Sequence, residues 1–252
     1  MFRHTVTEAI VLKTTAIGEI HKGVTLFTPE RGLVTAIAHG AKRIASRLRS
    51  ATEPFCLSRV YLYEDPVHRS VKITDMEPIQ AFDSIRRSLR HFYTASTWAE
   101  VVLRAFGGGS HSRELYTLLR SCFQQADVRE ARDMPRLSLQ FAWRFLGLEG
   151  SRPELDRCVS CGRRLDAGDH AVACRGSGGL QCASCAGTTE GIAIGPGSRR
   201  YLAATAAMSL PDSMRVGLAS AQEQALSRWI YDVVELILEM DLNSLVALRG
   251  LR

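Results

Sequence analysis

The chain reads as a mixed fold, an N-terminal β-barrel followed by an α-helical bundle into which a small cysteine module is inserted. Three observations predict it. Short β-rich runs alternate apolar and polar residues up to residue 77, the apolar period becomes helical after Pro78, and two CxxC pairs bracket a stretch rich in Gly and poor in large apolar residues. The expected domains are 1–79 for the barrel and 80–252 for the helices, with the module at 157–190.

The runs TEAIVLK, GVTLFT, GLVTAIAH, PFCLSRVYLY and SVKIT are separated by Gly18, Pro29, Gly32, Gly40, Pro54 and Pro66. Five strands in so short a span suit a five-stranded oligonucleotide-binding barrel (OB-fold), whose closure removes exposed edges. An SH3-like barrel would read similarly. After Pro78, Trp98, Val101, Val102, Ala105 and Phe106 make one helical stripe, and Leu115, Leu118, Leu119, Cys122 and Phe123 make a second, with Gly107–Gly109 between them. Leu137, Phe141, Phe145 and Leu148 mark a third helix, with Pro135 tolerable in its first turn. Leu226, Trp229, Ile230, Val233, Ile237 and Met240 form a last long stripe expected to complete the same bundle.

A chain of 252 residues, 46% hydrophobic, can bury a sizeable core. No apolar run reaches 18 residues, and the start MFRHTVTEAIVLK lacks the plan of a signal peptide, so the expected compartment is the cytosol, with association to the nucleoid and none to a membrane. Net charge is +6, and the excess lies wholly in the first 150 residues. That favours a polyanionic partner.

Seven cysteines, an odd number in a chain too large to need disulfides, suit metal binding better. Cys158-Val-Ser-Cys161 and Cys182-Ala-Ser-Cys185 flank 20 intervening residues, the spacing of a tetrathiolate zinc site. Each pair turns two thiolates toward one point, and four protein ligands leave no open position for a water nucleophile. The expected cofactor is one structural Zn2+ per chain. The competing reading is a pair of redox dithiols, disfavoured because neither CxxC is expected at a strand-to-helix junction of a βαβ unit. Cys174, between the pairs but without a partner of its own, is expected to be a bystander, although ligand exchange stays open. Cys56 and Cys122 fall in apolar patterns where free cysteine acts as a small hydrophobe. His170 is nearby, but the HxE of zinc deaminases is absent.

Between Glu30 and Glu53 no acidic residue occurs, while Arg31, Lys42, Arg43, Arg47 and Arg49 are cationic and His39 can become so. Phosphates are the common match for such a cluster; the alternative is a solvated helix face with Arg43 and Arg47 on one side. On the strand RVYLY, Val60 and Leu62 point one way and Arg59, Tyr61 and Tyr63 the other, setting aromatic surfaces beside a cation as single-strand binders do. Packing of Tyr61 and Tyr63 against the helices is the competing reading. The tract lies between strands 3 and 4, not in the 1–2 or 4–5 loops that OB-folds commonly use.

Taken in order, AIVLKTTAIGE, LFTPERGLVTAIAHGAKR, FAWRFLGLEGSRPELDRCVSCG and GGLQCASC resemble the RecO family of bacterial recombination mediators over nearly the whole chain. The resemblance implies an OB-fold, a helical bundle and a four-cysteine zinc module. It also implies binding of single- and double-stranded DNA, annealing of complementary strands, a RecR partner, and loading of the recombinase onto DNA covered by single-stranded DNA-binding protein. It carries a basic surface onto Lys42 and Arg43, with Arg31, Arg47 and Arg49 added for charge and proximity, and zinc ligation onto Cys158, Cys161, Cys182 and Cys185. The docking site for single-stranded DNA-binding protein is implied on the helical domain, at no nameable residue. No nucleotide cofactor is implied, and no GxxxxGK[ST] loop occurs.

The leading expectation is therefore a non-enzymatic DNA-binding mediator of recombination and DNA repair. A zinc-stabilised protein adaptor with little intrinsic DNA binding is the alternative, and a thiol redox enzyme is the third reading.

Overall fold

The computed structural model describes residues 4–68, 70–105, 111–174, 176–187 and 191–251. Phe106 and Gly107–Gly109, expected to end one helical stripe and separate it from the next, lie outside them. The chain divides into two compact units, residues 1–128 and 129–252.

The first unit is built on β1 (His4–Ile17), β2 (His21–Thr28), β3 (Gly32–Ala38), β4 (Leu57–Asp65) and β5 (Ser70–Gln80), with helix α1 (Leu48–Ala51) between β3 and β4. These strands close in the order β1-β2-β3-β5-β4, with β4 returning to β1 and β3 running parallel to β5. This is the OB-fold that strand count and spacing predicted. Closure depends on the length of β1. Its first half pairs with β4 (His4↔Tyr63 to Ile10↔Leu57), its second half with β2 (Ile10↔Phe27 to Ile17↔His21), and the register shifts between Val11 and Lys13. An irregularity there bends one strand across two neighbours.

The period-2 pattern places Ala9, Val11, Val24, Leu26, Val34, Ala36, Val60 and Leu62 in the barrel core, which Ala41, Ala51 and Cys56 complete. Residues of opposite parity, Ile10, Leu12, Phe27 and Leu57, are buried too. Helices α2 (Asp83–Arg87), α3 (Leu89–Ala105) and α4 (Ser112–Asp127) share this unit and explain why. The Phe27 ring meets Tyr116 of α4 at 5.9 Å, and Phe55, Phe82 and Trp98 gather around Phe123 of the same helix at 5.6–6.0 Å. Phe55 and Phe82 adopt left-handed backbone conformations, φ 67° and 48°, which cost energy for a bulky residue and persist because their rings are locked into this cluster. Trp98, Val101, Val102, Leu115, Leu118, Leu119, Cys122 and Phe123 are all buried, as their spacing predicts.

The second unit begins with a 3-10 turn (Ala131–Asp133) and α5 (Met134–Leu148), with Pro135 in its first turn. The cysteine module follows, with β6 (Ala171–Ala173), β7 (Leu180–Cys182), α6 (Ala183–Ala186) and β8 (Ile192–Ile194) in the sheet order β7-β6-β8. Then come α7 (Pro196–Thr205), α8 (Leu210–Ser213), α9 (Ser220–Leu238) and α10 (Asn243–Gly250). Polar contacts join α5 to α7 and α9: Gln140 donates to the Tyr201 and Thr205 hydroxyls at 3.0 Å, Trp143 Nε1 donates to the Leu202 carbonyl at 3.0 Å, and Ser138 Oγ and Tyr231 OH share a bond of 2.6 Å.

Helices α2–α4 lie in the first unit, where the barrel's outward apolar residues and aromatic cluster give them a surface, and α5, α7 and α9 lie in the second. One expectation changes. The last stripe holds for Leu226, Trp229, Ile230 and Val233 but fails at Met240, which is exposed because Glu239 turns left-handed (φ 53°) and ends α9. No helix among the described residues is long and apolar enough to cross a membrane.

Candidate nucleic-acid interface and metal centre

The connection from β3 to β4 is the electrically unbalanced part of the barrel. Gly40, at φ 68°, turns the chain so that Lys42 N–H donates to the Ile20 carbonyl at 3.0 Å, and Lys42 Nζ reaches the Gly18 carbonyl at 3.4 Å. The tract therefore leans on the β1–β2 turn. Its position between strands 3 and 4 in sequence is reconciled in space with the loop that OB-folds commonly use. Lys42, Arg43, Arg47 and Arg49 are exposed, and none pairs with a carboxylate among the described residues. Arg43 is not on a helix, because α1 begins only at Leu48. His39 stacks edge-on against His21, 4.8 Å between centroids, and His21 Nδ1 accepts the Gly40 N–H.

Lys22 positions this tract, and no pattern in the sequence singled it out. Its side chain is 14% exposed, and its ammonium pairs with Glu53 at 2.8 Å and donates to Thr52 Oγ1 and the Arg49 carbonyl, tying α1 to β2. Its only advance signal is a lysine two residues before the apolar alternation of GVTLFT.

Other expected contact residues lie elsewhere. Arg31 precedes β3 whereas the tract follows it, so seven residues of strand, on the order of 20 Å, separate them. The Arg31 guanidinium pairs with Glu64. Arg59 and Tyr61 both engage Glu77 of β5, at 3.6 and 3.1 Å, so that face of β4 is charge-balanced. The Tyr63 ring lies tilted against His4, 5.1 Å between centroids.

The four cysteines meet. The sulfurs of Cys158, Cys161, Cys182 and Cys185 all lie within 4.8 Å of one another, and none is in a disulfide. Thiolates tetrahedral about an ion with metal–sulfur bonds of about 2.3 Å have sulfurs about 3.8 Å apart, and Cys161 and Cys182 are separated by 3.9 Å. The first pair sits on a knuckle in which Gly162 N–H returns to the Cys158 carbonyl at 2.9 Å and Gly162 takes φ 70°. The second pair departs from expectation, since Cys182 ends β7 and Cys185 lies in α6, so this CxxC is at a strand-to-helix junction. Its convergence with the first pair still sets it apart from a lone redox dithiol.

The electrostatics suit a cation. Burial alone would raise Cys158, but the N–H groups of Cys182, Cys161 and Ser160 outweigh it and bring the thiol down to about 6. Hydrogen bonding with Cys161 and Cys182 pushes Cys185 up to about 12. Four sulfurs this close cannot all ionise unless a positive ion sits among them. Cys174 is turned away: its thiol donates to Gln181 Oε1 at 2.8 Å, and Gln181 Nε2 donates to Ser160 Oγ at 2.7 Å. Cys56 and Cys122 are buried, and burial pushes the Cys56 thiol up. Arg199, not foreseen, is 6% exposed and bonds the carbonyls of Leu155, Leu165, Asp166 and Asp169, fastening the module to α7.

Residues 1–82 match the family described as Recombination protein O N terminal, and residues 86–245 that described as Recombination protein O C terminal. A DNA repair protein RecO from Geobacter metallireducens is 36% identical over 190 residues, 75% of each chain. One from Thermoanaerobacter sp. is 33% identical over 179 residues, 71% of this chain and 70% of its own. Another, from Dehalococcoides mccartyi, is 26% identical over 245 residues, 97% of this chain and 95% of its own. Matches to both halves in chain order, around an OB-fold and a four-cysteine module, establish that this chain belongs to the RecO family of DNA repair proteins.

Proposed function

We propose that this chain is a DNA-binding recombination mediator that acts without catalysing a chemical step. Its barrel domain, residues 1–79, binds single- and double-stranded DNA through Lys42, Arg43, Arg47 and Arg49, with His39 at the edge of the site. The observation that supports this most directly is a set of four exposed cations without carboxylate partners among the described residues, on a connection that leans on the β1–β2 turn of an OB-fold. Bound phosphates would release counterions, and neutralising two strands lowers their mutual repulsion so that complementary bases can meet. Annealing follows from that physics. Family membership extends the proposal to RecR and single-stranded DNA-binding protein as partners, to loading of the recombinase onto DNA that the latter covers, and to action beside the nucleoid in the cytoplasm. Arg31, Arg59 and Tyr61 play at most a minor part, since Glu64 and Glu77 already match them.

We further propose that the metal is a single structural zinc held by Cys158, Cys161, Cys182 and Cys185. Tetrahedral sulfur ligation and the absence of a fifth protein or solvent position in such a set suit zinc over ions that favour oxygen.

Replacing Lys42 and Arg43 together by Ala should flatten the plot of log affinity against log salt on duplex DNA by up to about two units. Fluorescence anisotropy across a salt series measures this. An unchanged affinity and slope would show that the tract is ordinary surface. The parallel assay is annealing of complementary oligonucleotides with and without cognate single-stranded DNA-binding protein, where failure under both conditions removes the mediator reading.

A further inference from the structure

A second group of cations lies beyond α1 in the same unit. Arg86, Arg87 and Arg90 fall within five residues at the bend from α2 to α3. Arg87 is exposed and Arg90 half-buried, and neither pairs with a carboxylate among the described residues; Arg86 has Asp83 only at 4.0 Å. Beside them two large apolar side chains face solvent, Leu89 at 67% and Phe92 at 40%. Exposed apolar side chains occurring singly are ordinary. An exposed aromatic next to three arginines is the pairing that single-strand binders use, with phosphates on the cations and a base on the ring.

The position of this group is fixed relative to the tract. Arg86 donates to the Pro54 carbonyl at 3.0 Å, and Pro54 lies three residues past the end of α1, which carries Arg47 at its N-cap and Arg49 in its turn. Phe92 packs edge-on against Phe55 at 5.7 Å. Phe55 is held in turn by its N–H to the Val11 carbonyl at 2.7 Å, by Phe123, and by the left-handed backbone already described. The connection from α1 to β4 is thus the seam at which both cation groups are anchored. The nearest carboxylate on it, Glu53, is engaged by Lys22.

We infer that the DNA site does not end at the barrel. A single strand follows one track from Lys42 and Arg43, past Arg47 and Arg49, to Arg87 and Arg90, where a base stacks on Phe92. This rests on the DNA-binding reading proposed above and adds a substrate form to it. A strand must present an unpaired base to use Phe92, so the far end of the track is specific for single-stranded DNA, while the tract at the barrel accepts phosphates of either form.

The test is anisotropy of the full-length protein with oligo-dT of about 10 and about 30 nucleotides, one within and one well beyond the roughly 4–16 nucleotides that a single barrel covers. In the wild type the salt slope should steepen from the short to the long strand. In Arg87→Ala/Arg90→Ala that steepening should shrink by up to about 1.4 units, from about 0.7 per phosphate on single strands. Phe92→Ala should weaken the long strand at least about fivefold while leaving the salt slope as in the wild type, a pattern that loss of packing alone does not give. Full steepening in the arginine variant would overturn the track and leave these residues to a protein partner. If the wild type binds neither oligonucleotide, it is the DNA-binding reading itself that fails.

Discussion

Cys174 shows how a side-chain contact decides between ligand and bystander. By spacing it could replace any of the four ligands, yet its thiol is spent on Gln181, which also holds Ser160 of the first CxxC. Cys174→Ser should therefore keep one metal ion per chain by elemental analysis, whereas Cys182→Ser should lose it. Equal metal loss in both would reassign the site. Arg199 acts at the same scale through four carbonyls, so it is a positioning residue for the module and not a contact for an external anion.

Among the elements, the β4–β5 turn has a charge arrangement with a pH consequence. Asp65 accepts from Lys72 at 2.9 Å and from the backbone N–H groups of His68 and Val67. The Lys72 bond first, then that of His68, hold its carboxyl well below the usual carboxylate range. A carboxylate depressed in the folded state contributes stability above its unfolded pKa, about 4, and loses it as pH falls toward the folded value. Asp65→Asn should lower barrel stability at neutral pH and make it less sensitive to acid. Urea unfolding from neutral pH down into acid measures this, and an acid slope matching the wild type would refute the assignment. The side chains concerned are partly solvated, so the effect is small.

At the scale of the whole molecule the two chemistries are separated along the chain. The cations proposed for DNA lie in residues 4–105 and the thiols in 158–185, in different compact units. Stripping the metal with a chelator should therefore lower the unfolding midpoint of the second unit, because binding energy at such sites is folding energy, while the full-length chain keeps its affinity for single-stranded DNA. Calorimetry and anisotropy on the same sample check both halves of that expectation. A loss of DNA affinity in step with the metal would show that the module governs the tract.

The barrel was legible from sequence because strand parity is local: Val24 and Leu26, Val34 and Ala36, and Val60 and Leu62 declare one buried face by alternation alone. The thiol quartet was legible because CxxC spacing encodes convergence. What local pattern could not contain is the destination of a face. Phe55 and Phe82 read as ordinary apolar residues, and only packing around Phe123 shows that they join α2–α4 to the barrel within the first unit. Arg31, Arg59 and the tract looked alike as charges in sequence. Tertiary pairing with Glu64 and Glu77 neutralised the first two, and the fold of Gly40–Lys42 onto the β1–β2 turn assembled the third. Composition and spacing determined which groups exist. Long-range contacts decided which remain available, because a charge or an apolar face is functional only if nothing within the chain has already satisfied it.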